Sequence, residues 1–327
     1  MRKSGIAVNK QLLLGDIAVK YGVYFALLVL ILMNLFLTPN FMNINVLWNV
    51  MIQSATILLI SLGMTIVISG GGIDLSVGST MSLCSVIMAY SLERTNSIFL
   101  SFVFSLLVSV LCGLLVGGVI AVFKIQAMIV TLAFMTLFRG VAMLFPSAGI
   151  IRITNMDFLD FSLVRLGGIF PMQVIIILGT VVIVSVLMRR MSFGRYVEAI
   201  GDNESGARYA GVKIVSITIL MYIFCAILAG MSGILETSRI AASNGMNVGK
   251  MVEMDAVAST VIGGTPLTGG RANIVGTMMG VFIMQIITIM VNMNNIPYEY
   301  SMIIKAIIIL ISVYIQKTNG MFRRAKT

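Results

Sequence analysis

The chain contains no histidine, and charged residues make up only 10% of its 327 positions, against roughly a quarter in a soluble domain. Without histidine, a His-ligated metal site, a Ser-His-Asp triad and an H-E-x-x-H protease are excluded. The 12 acidic residues are too scattered for a paired-acid hydrolase. Cysteine is scarce as well. Cys84, Cys112 and Cys225 all lie within apolar stretches, an odd set with no exposed framework, and read as small core residues.

What is abundant is apolar sequence. Apolar residues are 59% of the chain, enough for about nine or ten spans at about 20 residues each. A water-soluble globule is therefore excluded, and the fold class is all-α: a polytopic membrane protein of about ten transmembrane helices. Apolar runs place them at 21–38, 46–68, 79–91, 98–122, 127–146, 171–188, 214–236, 253–263, 274–292 and 300–316. The first run follows Arg2, Lys3, Lys10 and Lys20 but ends in Thr38-Pro39-Asn40, so it reads as a retained span and not a cleaved signal. Segments 79–91 and 253–263 are too short to cross about 30 Å at about 1.5 Å per residue, which predicts interrupted helices continued by Gly-rich backbone inside the protein. The 26 methionines suit adaptable helix packing, and no cofactor is expected.

The net charge of +10 is first accounted for by loops on the cytoplasmic side, and nucleic acid is not an expected partner. With the N-terminus inside, 15 of the 22 Lys and Arg residues fall in cytoplasmic loops, 5 (Arg94, Arg152, Arg165, Arg239 and Lys250) in outer loops, and 2 (Arg139 and Lys305) in spans. Both termini are then cytoplasmic. The most polar segment, 189–213, lies on the same side. Within it Asn203 suits an N-cap, Glu204 the positive end of a helix dipole and Gly211 a C-terminal stop, predicting a short surface helix over 204–210 on which a partner can dock.

Two segments interrupt the apolar runs with acid and glycine. Gly70-Gly71-Gly72-Ile73-Asp74-Leu75-Ser76-Val77-Gly78-Ser79 places a carboxylate at membrane depth, where it must face water or accept backbone hydrogen bonds, as at the start of the third span. Met254-Asp255 leads through Ser259 and Thr260 to Gly263-Gly264-Thr265-Pro266-Leu267-Thr268-Gly269-Gly270-Arg271. Gly264 and Gly269 have phosphate-loop spacing, but Gly270 and Arg271 stand where Lys and Ser/Thr are required, so nucleotide binding there is rejected. One such interruption in each half points to an internal repeat and a central transport pathway. Asp74, Ser76, Ser79, Asp255, Ser259 and Thr260 are the candidate pathway residues, the hydroxyls being suited to a sugar. Neither Asp74 nor Asp255 has a cationic neighbour in sequence. Glu236 and Arg239 have helical pairing distance, and Arg139 and Lys305 call for structural pairing or snorkelling. The G-x-x-x-G steps Gly113–Gly117 and Gly276–Gly280 favour close packing within the chain over a dimer seam.

Taken together, Gly71-Gly72-Ile73-Asp74-Leu75-Ser76-Val77-Gly78, Gly194-Arg195-Tyr196 with Ala199-Ile200-Gly201-Asp202-Asn203-Glu204, and Met254-Asp255-Ala256-Val257-Ala258 leading to Val261-Ile262-Gly263-Gly264-Thr265 resemble the permease subunits of bacterial ATP-binding-cassette importers for ribose and other monosaccharides. The resemblance runs from about residue 46 to 316. It implies a single transmembrane permease domain over 1–327 in the bacterial cytoplasmic membrane, with 189–213 as the cytoplasmic coupling loop. It also implies a second permease subunit, a cytoplasmic ATP-binding subunit that performs the hydrolysis, and an extracytoplasmic sugar-binding protein. Gly194, Arg195, Asn203, Glu204, Arg208 and Gly211 match the family's ATPase-contacting element, although Glu204-Ser205-Gly206 stands where that element has Glu-Ala-Ala. Three rivals remain open: an ion-coupled secondary carrier using Asp74 and Asp255, a related permease for branched-chain amino acids or nucleosides, and an intramembrane enzyme built on Ser301 and Lys305.

Overall fold

The computed structural model describes residues 22–145, 149–166 and 170–324. The basic residues Arg2, Lys3, Lys10, Lys20 and Lys326 lie outside them. In chain order the helices are α1 (Gly22–Leu37), α2 (Ile44–Ser69), α3 (Val77–Thr95), α4 (Ile98–Phe123), α5 (Ala127–Leu144), α6 (Met156–Leu163), α7 (Met172–Arg189), α8 (Ser192–Asp202), α9 (Glu204–Tyr209), α10 (Ile214–Ile240), α11 (Val252–Ile262), α12 (Ile274–Met293) and α13 (Tyr298–Arg324). Four two-residue strands form two small antiparallel pairs, Ile151–Arg152 with Ala242–Ser243 and Arg165–Leu166 with Phe170–Pro171. The chain is all-helical in substance, and α2, α4, α5, α7, α10 and α12 are the six helices long and apolar enough to cross a membrane among the described residues.

Local sequence sets the boundaries. Asn43 caps α2, its side chain accepting from the Asn45 N–H at 2.9 Å, and Ser97 caps α4 by accepting from Leu100 at 3.4 Å. The segment read as a short 79–91 span is the 19-residue α3, because Glu93 and Arg94 continue its last turn and Asn96 ends it in the left-handed conformation. A charge marks the edge of an apolar run, not the end of a helix. By contrast α11 has 11 residues, about 16 Å of rise. The polar segment 189–213, read as one short helix in a loop, holds two helices, α8 and α9.

The interior centres on α2, α3 and α10, with α4 packed closely along α10. From Leu58 to Ser69 nearly every α2 side chain is buried, whereas α4 turns Leu107, Leu111, Leu114 and Leu115 outward, as a helix facing hydrocarbon does. The glycine steps act within the chain: a Cβ on Gly113 would lie 2.6 Å from the Ile223 Cα, one on Gly117 2.9 Å from the Ile219 Cα, and Gly276 and Gly280 abut Gly263 and Ser259 of α11. Hydroxyls link the central helices. Ser85 bonds Thr237 at 2.6 Å and Ser243 at 2.7 Å, Thr65 bonds Thr277 at 2.8 Å, and Ser232 donates to the Thr56 carbonyl at 2.9 Å.

Candidate functional site

Two Gly-rich connections, 70–76 and 263–273, join α2 to α3 and α11 to α12. In the first, Asp74 is buried and its Oδ1 accepts from the Ser76 N–H at 2.9 Å and the Ser76 hydroxyl at 2.6 Å, closing a turn one residue before α3. In the second, Asn273 caps α12 by accepting from Gly276 at 3.0 Å, while its Nδ2 donates to the Gly263 carbonyl at 2.7 Å and its N–H to Thr265 Oγ1 at 3.1 Å. The connections touch, since the Gly270 N–H donates to the Ser69 carbonyl at 2.8 Å. α8 lies against both. A Cβ on Gly201 would strike the Ser69 carbonyl oxygen and stand 2.6 Å from the Gly270 nitrogen, and Glu198 Oε1 accepts from the Ala272 N–H at 2.8 Å. Running directly on from α8, α9 begins at Asn203, whose Oδ1 accepts from Gly206 at 2.9 Å. It ends near Gly211 at φ +82°, and Glu204 pairs with Arg208 across its exposed face at 2.8 Å. Gly194 and Arg195 lie in α8.

On the side away from α8 and α9, a cavity of about 440 Å³ opens between α2, α10, α11, α12, α13 and the 242–250 loop. Gln53, Thr56, Gln285 and Thr288 line it, Gln285 donating to Gln53 at 2.9 Å, with Asn244 and Asn247 on the loop side. Asp255 and Lys305 also line it, as an ion pair with Lys305 Nζ 2.9 Å from Oδ2 and 3.1 Å from Oδ1. Asp255, without a cationic neighbour in sequence, gains one in space: α13 brings Lys305 from 50 residues along the chain. Lys305 is thereby directed to Asp255, not to Ser301, which removes the basis for a Ser-Lys nucleophile. Glu236 and Arg239 pair at 2.6 Å at the cavity rim, on the final turn of a helix that runs to Ile240 instead of stopping at 236.

Arg139 reaches from α5 to the loop carbonyls of Gly245 (3.1 Å), Val248 (2.5 Å) and Gly249 (3.2 Å), a structural pairing that fixes the loop bearing Asn244 and Asn247. The N-terminal ends of α3 and α11 meet there, with Gly249 backed against the Gly78 carbonyl and the buried Glu253 carboxylate beside Gly78.

Of the six pathway candidates only Asp255 reaches the cavity. Ser76 serves Asp74, while Ser79 donates to the Ser76 carbonyl, Ser259 to that of Asp255 and Thr260 to those of Ala256 and Ser61. Back-bonding to the preceding turn is the ordinary state of a hydroxyl in an apolar helix. The residues missed were the amides. Gln53 and Gln285 each interrupt an apolar run, which was the available signal. No group of three His, Cys, Asp or Glu side chains able to hold a metal occurs among the described residues.

Residues 46–313 match the family described as the branched-chain amino acid transport system / permease component. The chain belongs to that family. Among curated relatives, the ribose import permease protein of Escherichia coli (strain K12) is 34% identical over 295 residues, covering 89% of this chain and 91% of the relative. The ribose import permease protein of Bacillus subtilis (strain 168) is 33% identical over 315 residues, covering 95% and 97%. The galactofuranose transporter permease protein of E. coli (strain K12) is 31% identical over 305 residues, covering 89% and 87%. No solved structure matches the chain.

Proposed function

We propose that this chain is the membrane-spanning permease subunit of an ATP-driven importer for a monosaccharide. The observation that carries it is a cavity whose polar lining consists of amides, hydroxyls, two mutually neutralising acid-base pairs and Lys250, in a chain similar to ribose permeases over nearly its whole length. Amide and hydroxyl groups both donate and accept, which suits a neutral polyol. A zwitterionic amino acid would need a free anion for its ammonium group, and both acids facing this cavity, Glu236 and Asp255, already hold cations, which leaves Lys250 as its one unpaired charge. The volume falls within the roughly 300–1,000 Å³ of small-molecule sites.

Residues 1–327 act as one permease domain of about ten spans with interrupted helices at the two glycine-rich connections, both termini and 189–213 being cytoplasmic. A second permease subunit completes the pathway, a separate ATP-binding subunit hydrolyses ATP, and an extracytoplasmic sugar-binding protein delivers the solute. Gly194, Arg195, Asn203, Glu204, Arg208 and Gly211 build the surface that meets the ATPase, and Asp74, Ser76, Ser79, Ser259 and Thr260 shape the pathway from behind its lining. Contact of α8 with both glycine-rich connections supports a direct mechanical route: displacement of α9 moves α8, and α8 bears on the two places where the backbone is least constrained by helix.

Uptake of labelled pentose or hexose into proteoliposomes, with ATPase and binding protein supplied, tests the function. ATP-dependent sugar uptake is expected. Uptake driven by a sodium or proton gradient without ATP would instead establish a secondary carrier, and ATP-driven uptake of leucine but no sugar would overturn the solute class. Orientation is read with single cysteines at Ser205 and Thr154, both exposed, in a background lacking the three buried native cysteines. An impermeant thiol reagent is expected to label Thr154→Cys in intact cells and Ser205→Cys only after lysis.

A further inference from the structure

A second and larger cavity, about 780 Å³, lies at the opposite end of the molecule, where α4, α5, α9 and α10 diverge. Gly113 and Gly117 hold α4 against α10, and from Ile120 to Lys124 the end of α4 lines the cavity that separates it from the start of α10. The lining carries Lys124, Lys213 and Arg208 against a single acid, Glu204, which Arg208 already pairs. The local excess is therefore two positive charges, held by Lys124 and Lys213. Lys213 is the N-cap residue of α10, with no acid in the first turn, so its ammonium adds to the positive end of a 27-residue helix. An anion beside it relieves that repulsion. At the inner end stands Tyr222, whose hydroxyl is buried at 1% exposure and has no hydrogen-bond partner. Ile125 lines the mouth, and outside it Val122, Phe123 and Ile129 are exposed apolar side chains on either side of the Lys124 turn.

We propose that this cavity binds the headgroup of an anionic phospholipid, with the phosphate between Lys124 and Lys213 and the acyl chains along the exposed apolar surface of α4 and α5. Basic pockets between spans at a membrane face recruit such headgroups. The apolar mouth favours a lipid over a soluble phosphate, because a free anion gains nothing from Phe123 and Ile125. The cavity adjoins α9, so an occupied headgroup supports the first turn of α10 and the start of the helix pair that reaches the glycine-rich connections. The inference depends on membrane placement and not on the transported solute.

Its test is native mass spectrometry of the full chain exchanged against phosphatidylcholine mixed micelles containing phosphatidylglycerol or cardiolipin. Retention of the anionic lipid is expected, weakened about thirtyfold in Lys124→Gln/Lys213→Gln, at roughly the contribution of one surface lysine each. Arg152→Gln, beyond the other end of α10, is expected to retain lipid as the wild type does. Tyr222→Phe, which changes no charge, is expected to weaken retention measurably. Equal retention by the double-lysine variant overturns the site. Full retention by Tyr222→Phe reduces it to surface attraction and overturns the cavity, and displacement by millimolar inorganic phosphate overturns the lipid in favour of a soluble anion. Because no transport is measured, failure here leaves the importer reading untouched, and failure of sugar uptake leaves lipid retention to be judged alone.

Discussion

Asp74 and Asp255 each accompany a glycine-rich connection, yet the fold uses them differently. Asp74 turns back on its own chain and satisfies Ser76 two residues on, so the first connection is fixed locally at its buried end. Asp255 reaches across to Lys305 of α13, so the helix leading into the second connection is fixed by a distant element and borders the cavity. The second connection is also the more exposed, with Thr268 and Arg271 at the surface. The first is therefore held by its own residues and the helix entering the second by a distant one. α8 touches both, and its proposed coupling role can be tested there.

The sharpest way to break this arrangement is Gly201→Val, which forces a side chain onto the Ser69 carbonyl and the Gly270 nitrogen together. Overpacking typically costs about 1–3 kcal/mol and occasionally more, and with both obstructing atoms in the backbone the cost here is expected to exceed about 3 kcal/mol. Loss of ATP-driven uptake is expected while protein remains in the membrane. Normal uptake by this variant would remove α8 from the coupling route. Next in size, Lys305→Ala leaves Asp255 unpaired and is expected to destabilise the protein by about 3 kcal/mol, with partial recovery in Lys305→Ala/Asp255→Ala, as measured by thermal unfolding in detergent. No recovery in the double variant would show that Lys305 acts through packing.

Asp74→Ala removes both acceptor bonds to Ser76 and is expected to cost about 2 kcal/mol, whereas Asp74→Asn keeps an acceptor oxygen and most of the stability. If Asn abolished uptake as fully as Ala, a charge requirement would replace the local role. Asn273→Ala, which uncaps α12 at the second connection, is expected to cost about 1 kcal/mol. The smallest stability effect is expected of Glu204→Lys, since exposed pairs contribute little. Its effect should instead appear as reduced binding-protein-stimulated ATPase activity, and unchanged stimulation would exclude α9 as the docking element.

Much of the helix order was legible because apolar runs of 18 or more residues admit little else. α8 was missed although Phe193, Val197 and Ile200 have i, i+4, i+7 spacing, since Arg189, Arg190, Arg195, Glu198 and Asp202 made the segment read as a solvated loop. The turn at Asp74 was readable from its position ahead of a helix. The Asp255–Lys305 pair was not, because nothing local says which of two distant helices will be neighbours. Nor can a sequence distinguish a hydroxyl facing a cavity from one returned to its own helix, which is why Ser76, Ser79, Ser259 and Thr260 were placed in the lining and Gln53 and Gln285 were not.

The hydroxyl contacts that join α2, α3, α10 and α12 bear on how such a bundle can change shape. Side-chain hydrogen bonds between membrane helices contribute only about 0.6 kcal/mol each on average. A serine hydroxyl rotates freely and both donates and accepts, so Ser85, already shared between Thr237 and Ser243, can exchange one partner for the other without passing through an unbonded state. An interface built from such contacts acts as a row of shallow notches. It holds one register at rest, and each notch costs little more than thermal energy to release when the neighbouring helix is pushed.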